Sequence, residues 1–360
     1  MYEKLENICE MTNTRFYSNI NSLKQKLNIK PINTGRIFTS HIGIVFDDME
    51  ALHIIGTYDN KAVFKSGTEF THLHFRGQNK DYGKCKANLF RDESKKYIFL
   101  EICRTIAFEK LLDSHPYIKL LKTLKILDHE IYLNNTAIAQ HYELKTPYLD
   151  LTSNFDVASF FATCSYNENT KSYIPYNGDS QIGVIYVYDE LMDMSIQLQN
   201  KDIPQFEYIG WQGLPRPKEQ RASIYNLSFH SDFSKNEYVK KYYFKHSPSS
   251  AKRIYKKFDC GKTLFPDDSA SSLANECKKI KIFTQNEIEQ AISRYKYWVS
   301  NDISETIVYQ FINDLNIAIV DNSVLNWDNL VDNDESFWLK KFDETFKECK
   351  YRLSFPHIDS

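Results

Sequence analysis

Thr136–Cys164 (TAIAQHYELKTPYLDLTSNFDVASFFATC) constrains this chain most, because it sets a strand-to-helix corner with polar residues inside it. Pro147 locks its own φ and holds Thr146 extended, so Lys145-Thr146-Pro147 reads as a turn. Tyr148–Thr152 then reads as a short strand with Leu149 and Leu151 on one face. Ser153 or Asn154 stands ready to cap a helix carrying Val157, Ala158, Phe160, Phe161 and Cys164. Gln140, His141, Asp150 and Thr152 lie among apolar neighbours, so they are expected to be semi-buried and to need partners. Asp150 is expected to be buried and bonded to the Gln140-His141 segment or to backbone near Thr152. Free N–H groups where the strand meets the helix can receive a phosphate or a ribose. Many inert domains turn a corner in the same way.

Glu69–Gln78 (EFTHLHFRGQ) alternates with strand periodicity. His72, His74 and Arg76 therefore share one face, and Leu73 and Phe75 the other. Gly77 reads as the strand end, where backbone can approach whatever Arg76 holds. The planar fork of Arg76 suits a diphosphate or carboxylate; the competing reading pairs it with a core acid such as Asp150. His72-x-His74 could begin a metal site, but no third ligand follows at a suitable spacing, so no metal is expected. Tyr97–Leu127 reads as an αα-hairpin broken near Ser114-His115-Pro116, and Ile182–Tyr188 as a central, buried strand.

In Leu214–Leu227 the two prolines, Pro215 and Pro217, hold an extended approach. They put Glu219, Gln220 and Arg221 at the mouth of a strand, either as a site or as a solvated edge. Gly261-Lys262-Thr263 fails as a phosphate loop, since the first glycine would fall at Lys256. Thr284-x-x-Glu287 and Asp302-x-x-Glu305 read as helix-start boxes. The segment from about Phe283 onward is expected to be helical, anchored by Trp298, Trp327 and Trp338. Residues 1–30 read as helix, followed by strands at Arg36–Phe46 and Ala62–Phe64 with loop between.

With 42% hydrophobic and 26% charged residues the 360-residue chain is globular, and 24 Tyr and 24 Phe supply much of its core. A net charge of −2 gives no overall pull toward nucleic acid or anionic membrane, though a local basic groove is compatible with it. Seven scattered Cys without zinc spacing imply reduced thiols. No leader pattern opens the chain, and no apolar run approaches the roughly 20 residues that span a bilayer. A cytoplasmic protein without membrane partners is expected.

Phe75-Arg76-Gly77, Gln140-His141, Thr146, Leu149-Asp150-Leu151-Thr152 and Phe161-Ala162 occur here in a fixed order. Arg216-x-x-x-Gln220 and Leu264-Phe265-Pro266-Asp267 follow them. The series resembles the FRG-domain family across residues 70–270. Departures are Pro147-Tyr148 where the family has Arg, Leu151 where it has Trp, and Glu143 where it has Gly. The layout is also similar to that of the ADP-ribosyltransferases. That similarity implies an α+β fold: an ADP-ribosyltransferase-like mixed sheet with flanking helices and a helical C-terminal appendage. The division implied is 1–65 as leader, 66–280 as FRG domain and 281–360 as helical region.

The resemblance implies an NAD-dependent ADP-ribosyltransferase, with NAD as substrate. Arg76, Thr152 and Glu219 or Gln220 would be catalytic. Arg76, Gly77, Gln78, His141, Thr152 and Ser153 would hold NAD. A carboxylate stabilises the cationic ribose, which Glu219 can supply and Gln220 cannot. Transferases of this kind are often toxins or anti-phage effectors modifying nucleic acid or protein, which implies such a target and a neutralising antitoxin. The alternative is a non-catalytic nucleotide- or RNA-binding module, and a third reading makes the polar signature a buried network that fixes the fold.

Overall fold

The computed structural model describes residues 15–27, 36–40, 43–47, 52–57, 59–67, 72–92, 94–178, 181–193, 205–301, 303–327 and 330–350. Seven strands form one mixed sheet. In chain order they are β1 (Arg15–Tyr17), β2 (Leu73–Gln78), β3 (Tyr148–Thr152), β4 (Ile182–Asp189), β5 (Phe206–Tyr208), β6 (Ala222–Asn226) and β7 (Val239–Lys245). Their spatial order is β1-β7-β4-β2-β3-β6-β5, with β1 parallel to β7 and the other pairs antiparallel. The fold is α+β around a mixed sheet, as expected. The apolar run of β4 lies in the sheet interior between β7 and β2.

One face of the sheet packs Leu149, Leu151, Val184, Tyr186 and Tyr188 against Ile98, Phe99, Ile102 and Ile106 of helix α1 (Lys95–Ser114). Helix α2 (Asn135–His141) follows, and α3 (Phe155–Thr163) covers the other face with Val157, Ala158 and Phe160 packed near Phe75, Ile185 and Phe244. The break after Ser114 is present, with Pro116 opening the next helix, Pro116–Thr123.

Helix α1 is apolar on most sides, so it needs cover away from the sheet as well. The C-terminal helices provide it. Ile288, Ala291 and Tyr295 of Gln285–Trp298 and Val308 and Ile312 of Glu305–Leu315 belong to the same core as Phe99 and Ile106. Trp327 Nε1 donates to the Leu111 carbonyl at 2.6 Å, and Trp338 stacks on Tyr117 with ring centres 4.9 Å apart. The segment expected as an appendage is part of the core. The Thr284–Glu287 capping box is formed. The next helix is capped by Ser304, whose side chain accepts from Ile307 N–H, and Asp302 lies outside the described residues.

The N-terminal reading changes more. Among the described residues Arg15–Tyr17 is an edge strand and Ile20–Lys26 is helix, while 1–14 and 28–30 lie outside them. The Arg36–Phe46 run is a hairpin of Arg36–Ser40 and Gly43–Asp47. Leu52–Gly56, expected as loop, is a strand because it can zip onto Ala62–Ser66 and bury Leu52 and Ile54. Among the described residues no helix is long and apolar enough to cross a membrane.

Gly77 is not the end of its strand; Gln78 is. The space its missing side chain leaves is filled from the face opposite Arg76. A Cβ at Gly77 would stand 1.9 Å from the Ala158 carbonyl oxygen and 2.8 Å from Ala162 N. Helix α3 thus seats backbone-to-backbone on β2. Gly77→Ala is expected to cost about 3 kcal/mol, since rigid backbone rather than a side chain must move. A denaturant midpoint equal to wild type would refute that close seating.

Candidate functional site

Strands β2 and β3 are registered at a single pair, Phe75 with Thr152, whereas β4 and β2 share a long ladder and so do β3 and β6. By pleat parity Thr152 shares a face with Phe75, and Arg76 belongs to the other face. The two strands part beyond that pair, and a cavity of about 360 Å³ opens at the split. Arg76 turns into the gap, where its Nη1 donates to the Asp150 carbonyl at 2.8 Å. A side chain thereby supplies the hydrogen bond that a ladder partner would have made.

Arg76, Gly77, Gln78, His141, Asp150, Thr152 and Gln220 all line this cavity. Arg91, which the sequence reading missed, lines it as well. The residue is exposed as a whole, yet desolvation of its guanidinium and then the charge of Arg76 push its pKa below the ordinary value. Two cations therefore stand side by side. Among the described residues no carboxylate forms an ion pair with either; the competing expectation that Arg76 pairs with a core acid gives way to a backbone contact. Nearby Cys85 is pushed up by burial, against the pull of Arg76 and Arg91. Arg91 follows the short 3₁₀ turn Asn88–Phe90, where no periodicity signals a buried or inward side chain.

Asp150 is less buried than expected, with 36% of its side chain exposed. Its bond to the Gln140 segment is present: Gln140 Nε2 donates to Oδ2 at 2.9 Å, and Thr146 Oγ1 donates to Gln140 Oε1 at 2.6 Å. Thr152 is committed to backbone. Its hydroxyl donates to the Gln220 carbonyl at 2.7 Å and accepts from Asn154 N–H at 3.0 Å. Asn154 caps α3 by accepting from the N–H groups of Asp156 and Val157. The corner expected to offer free N–H groups to a phosphate has used those of Asn154, Asp156 and Val157 on its own cap. Ser153 is 8% exposed and does not line the cavity.

The approach through Pro215 and Pro217 is a helical turn, α4 (Pro215–Glu219), not an extended segment. Proline fits the first helical positions, where its φ is already set and no N–H is needed. This folding decides between Glu219 and Gln220. Glu219 ends the helix outside the cavity, its carboxylate 3.7 Å from Arg221 Nη1. Gln220 is 6% exposed and points inward, with Oε1 3.0 Å from His141 Nδ1 and Nε2 donating to the Leu264 carbonyl at 3.0 Å.

Arg216 lies one helical turn earlier. It reaches the His141 carbonyl at 3.4 Å and Ser271 Oγ at 2.7 Å, and its guanidinium sits 4.6 Å from the Tyr142 ring centre. The Arg-x-x-x-Gln spacing is thus one face of a turn gripping His141 at backbone and ring. Gln220→Ala would strand His141 Nδ1–H and the Leu264 carbonyl, at about 1–3 kcal/mol for each buried group. Glu219→Gln is expected to leave the thermal midpoint unchanged, and equal midpoints for both variants would refute this division of roles.

Tyr166, Tyr173, Phe161 and Phe265 form an aromatic wall of the cavity, with Tyr173 and Phe265 stacked at 4.8 Å. Asp150 acts electrostatically on both Arg91 and Tyr173, which sets it between the cationic and aromatic parts. Glu143 lines the rim in left-handed backbone (φ 66°), paired with Lys278 at 2.8 Å. That conformation explains why the family resemblance asks for glycine there.

Ser223, His74 and Glu190 mimic a hydrolase triad, with contacts of 2.9 Å and 3.2 Å. All three are buried and none lines the cavity; desolvation pulls His74 below its ordinary pKa. The set is a core network. Among the described residues no group of three or more His, Cys, Asp or Glu is placed to hold a metal.

No curated protein and no solved structure matches the chain. The model of the FRG domain matches residues 71–171, which contain Arg76, Arg91, Gln140, His141, Asp150 and Thr152, while Arg216, Gln220 and Leu264 lie beyond it. Over residues 71–171 this chain carries an FRG domain.

Proposed function

We propose that the cavity takes NAD and that the chain acts on it as an ADP-ribosyltransferase-like enzyme. The observation that carries this reading is the Arg76–Arg91 pair, which makes no ion pair with a described carboxylate, on the same cavity as the partly exposed Asp150. Paired guanidinium forks suit a diphosphate. The Tyr173–Phe265 stack suits a flat base beside it. A volume of about 360 Å³ lies low in the usual ~300–1,000 Å³ range, room for half of a dinucleotide with the remainder at the open mouth.

In this reading Asp150, and not Glu219, supplies the negative charge that stabilises the ribosyl cation as nicotinamide leaves. Gln220 positions His141. The free thiols of the described cysteines support a cytoplasmic setting. A toxin or anti-phage role with a neutralising partner rests on the resemblance alone.

The second reading, a nucleotide- or RNA-binding module, draws on Gln220 standing where the resemblance asks for a charge. Purified protein with labelled NAD, with and without cell lysate, separates the two. Nicotinamide release and labelled nucleic acid or protein support the transferase. Binding without release supports the module, and absence of NAD binding removes the transferase.

A further inference from the structure

The hydrogen bonds around His141 decide which of its ring nitrogens is left over. The Leu264 carbonyl can only accept, so Gln220 turns its amide N–H toward Leu264 and its carbonyl toward His141 Nδ1. Two acceptors cannot bond each other, so Nδ1 carries a proton, and in the neutral ring Nε2 keeps the lone pair. Nε2 is buried without a hydrogen bond, in a residue 3% exposed that lines the cavity. Asp150 Oδ1, also without a hydrogen bond, lies 4.0 Å from it. Gln140, Thr146, Arg216, Gln220 and Leu264 all contribute to holding these two acceptors in place. The charged groups next to His141 are Asp150 from β3 and Arg216 from α4, and Arg76, Arg91 and Glu143 line the same cavity.

We propose that His141 Nε2 is the general base that receives the proton of an attacking hydroxyl, with Asp150 stabilising the imidazolium that forms. The acceptor class is then water or an alcohol. The inference rests on the NAD reading above. In the step, an oxygen lone pair bonds to ribose C1′ and the C1′–N bond of NAD breaks. Its electron pair passes to the pyridinium, nicotinamide leaves neutral, and the hydroxyl proton passes to Nε2. The positive charge lost by the pyridinium reappears on the imidazolium beside Asp150.

The test uses the full chain, NAD as the sole probe and water as acceptor. His141→Asn is the informative variant, because its amide N–H replaces Nδ1–H toward Gln220 while nothing replaces Nε2. Turnover is expected to fall by about 10²-fold or more, the range for loss of a positioned base. NAD affinity by calorimetry, measured in parallel, separates loss of the base, which lowers kcat, from loss of a binding contact, which raises KM. The acid limb of the wild-type kcat–pH profile should disappear in the variant. Nitrogen-resolved imidazole spectra of wild type should show the Nδ1–H tautomer, and this readout stands even where the variant folds poorly. An Nε2–H tautomer, or a variant that keeps both turnover and acid limb, overturns this inference alone. Wild type that binds NAD and releases no nicotinamide, with or without lysate, overturns the transferase reading together with it.

Discussion

Arg76→Lys is expected to lower NAD turnover by about 10²–10³-fold, the range for removing one preorganised electrostatic group. Lysine keeps the charge but not the fork. One Arg76 N–H is already committed to the Asp150 carbonyl, and the remaining donors are what a diphosphate would meet. An ammonium on a flexible stem cannot hold that carbonyl and two phosphate oxygens in one plane. It would also bring a more strongly hydrated charge beside Arg91, whose pKa is already lowered by desolvation and by the neighbouring cation. Apparent NAD affinity should weaken as well: the part of the contact already made in the ground state raises KM, and the part made only in the transition state lowers kcat. The thermal midpoint should change little, since Arg76 is only half-buried at the open edge of the split. Wild-type kcat/KM in this variant would remove the anion-binding role of the cavity floor.

Asp150→Asn should separate chemistry from stability. Asparagine retains an oxygen for Gln140 Nε2, now held at 2.9 Å, so the melting temperature is expected to stay near wild type. The sequence-based expectation of a buried, stabilising aspartate weakens because the side chain is 36% exposed. Turnover is another matter: the variant has no negative charge facing the cavity at this position. Loss of a preorganised charge against a developing cation costs about 10²–10³-fold in kcat. NAD binding should persist, because Arg76 and Arg91 are untouched. A variant with unchanged kcat would transfer the charge-stabilising role away from Asp150. A large fall in midpoint with normal kcat would make it a structural residue.

Much of the scaffold is legible locally. Alternation in Leu73–Phe75, the apolar run of Ile182–Tyr188 and the Ser114-His115-Pro116 break follow from backbone period and proline geometry, and each appears as expected. The Thr284–Glu287 cap does too, because a capping box closes within four residues. The need of Gln140, His141, Asp150 and Thr152 for partners was readable from polar groups set among apolar ones.

Their partners were not. Gln220 is 79 residues from His141 in sequence, and only the pairing of β3 with β6 brings it there. Choosing Gln220 over Glu219 required knowing that Pro215–Glu219 winds into a turn, which depends on what α4 packs against. The cavity itself comes from β2 and β3 parting after one registered pair. Strand period describes which way side chains alternate along one strand. Where two strands cease to zip is decided by the packing of everything around them, and that is why Arg76 and Arg91 meet Asp150 only in the tertiary structure.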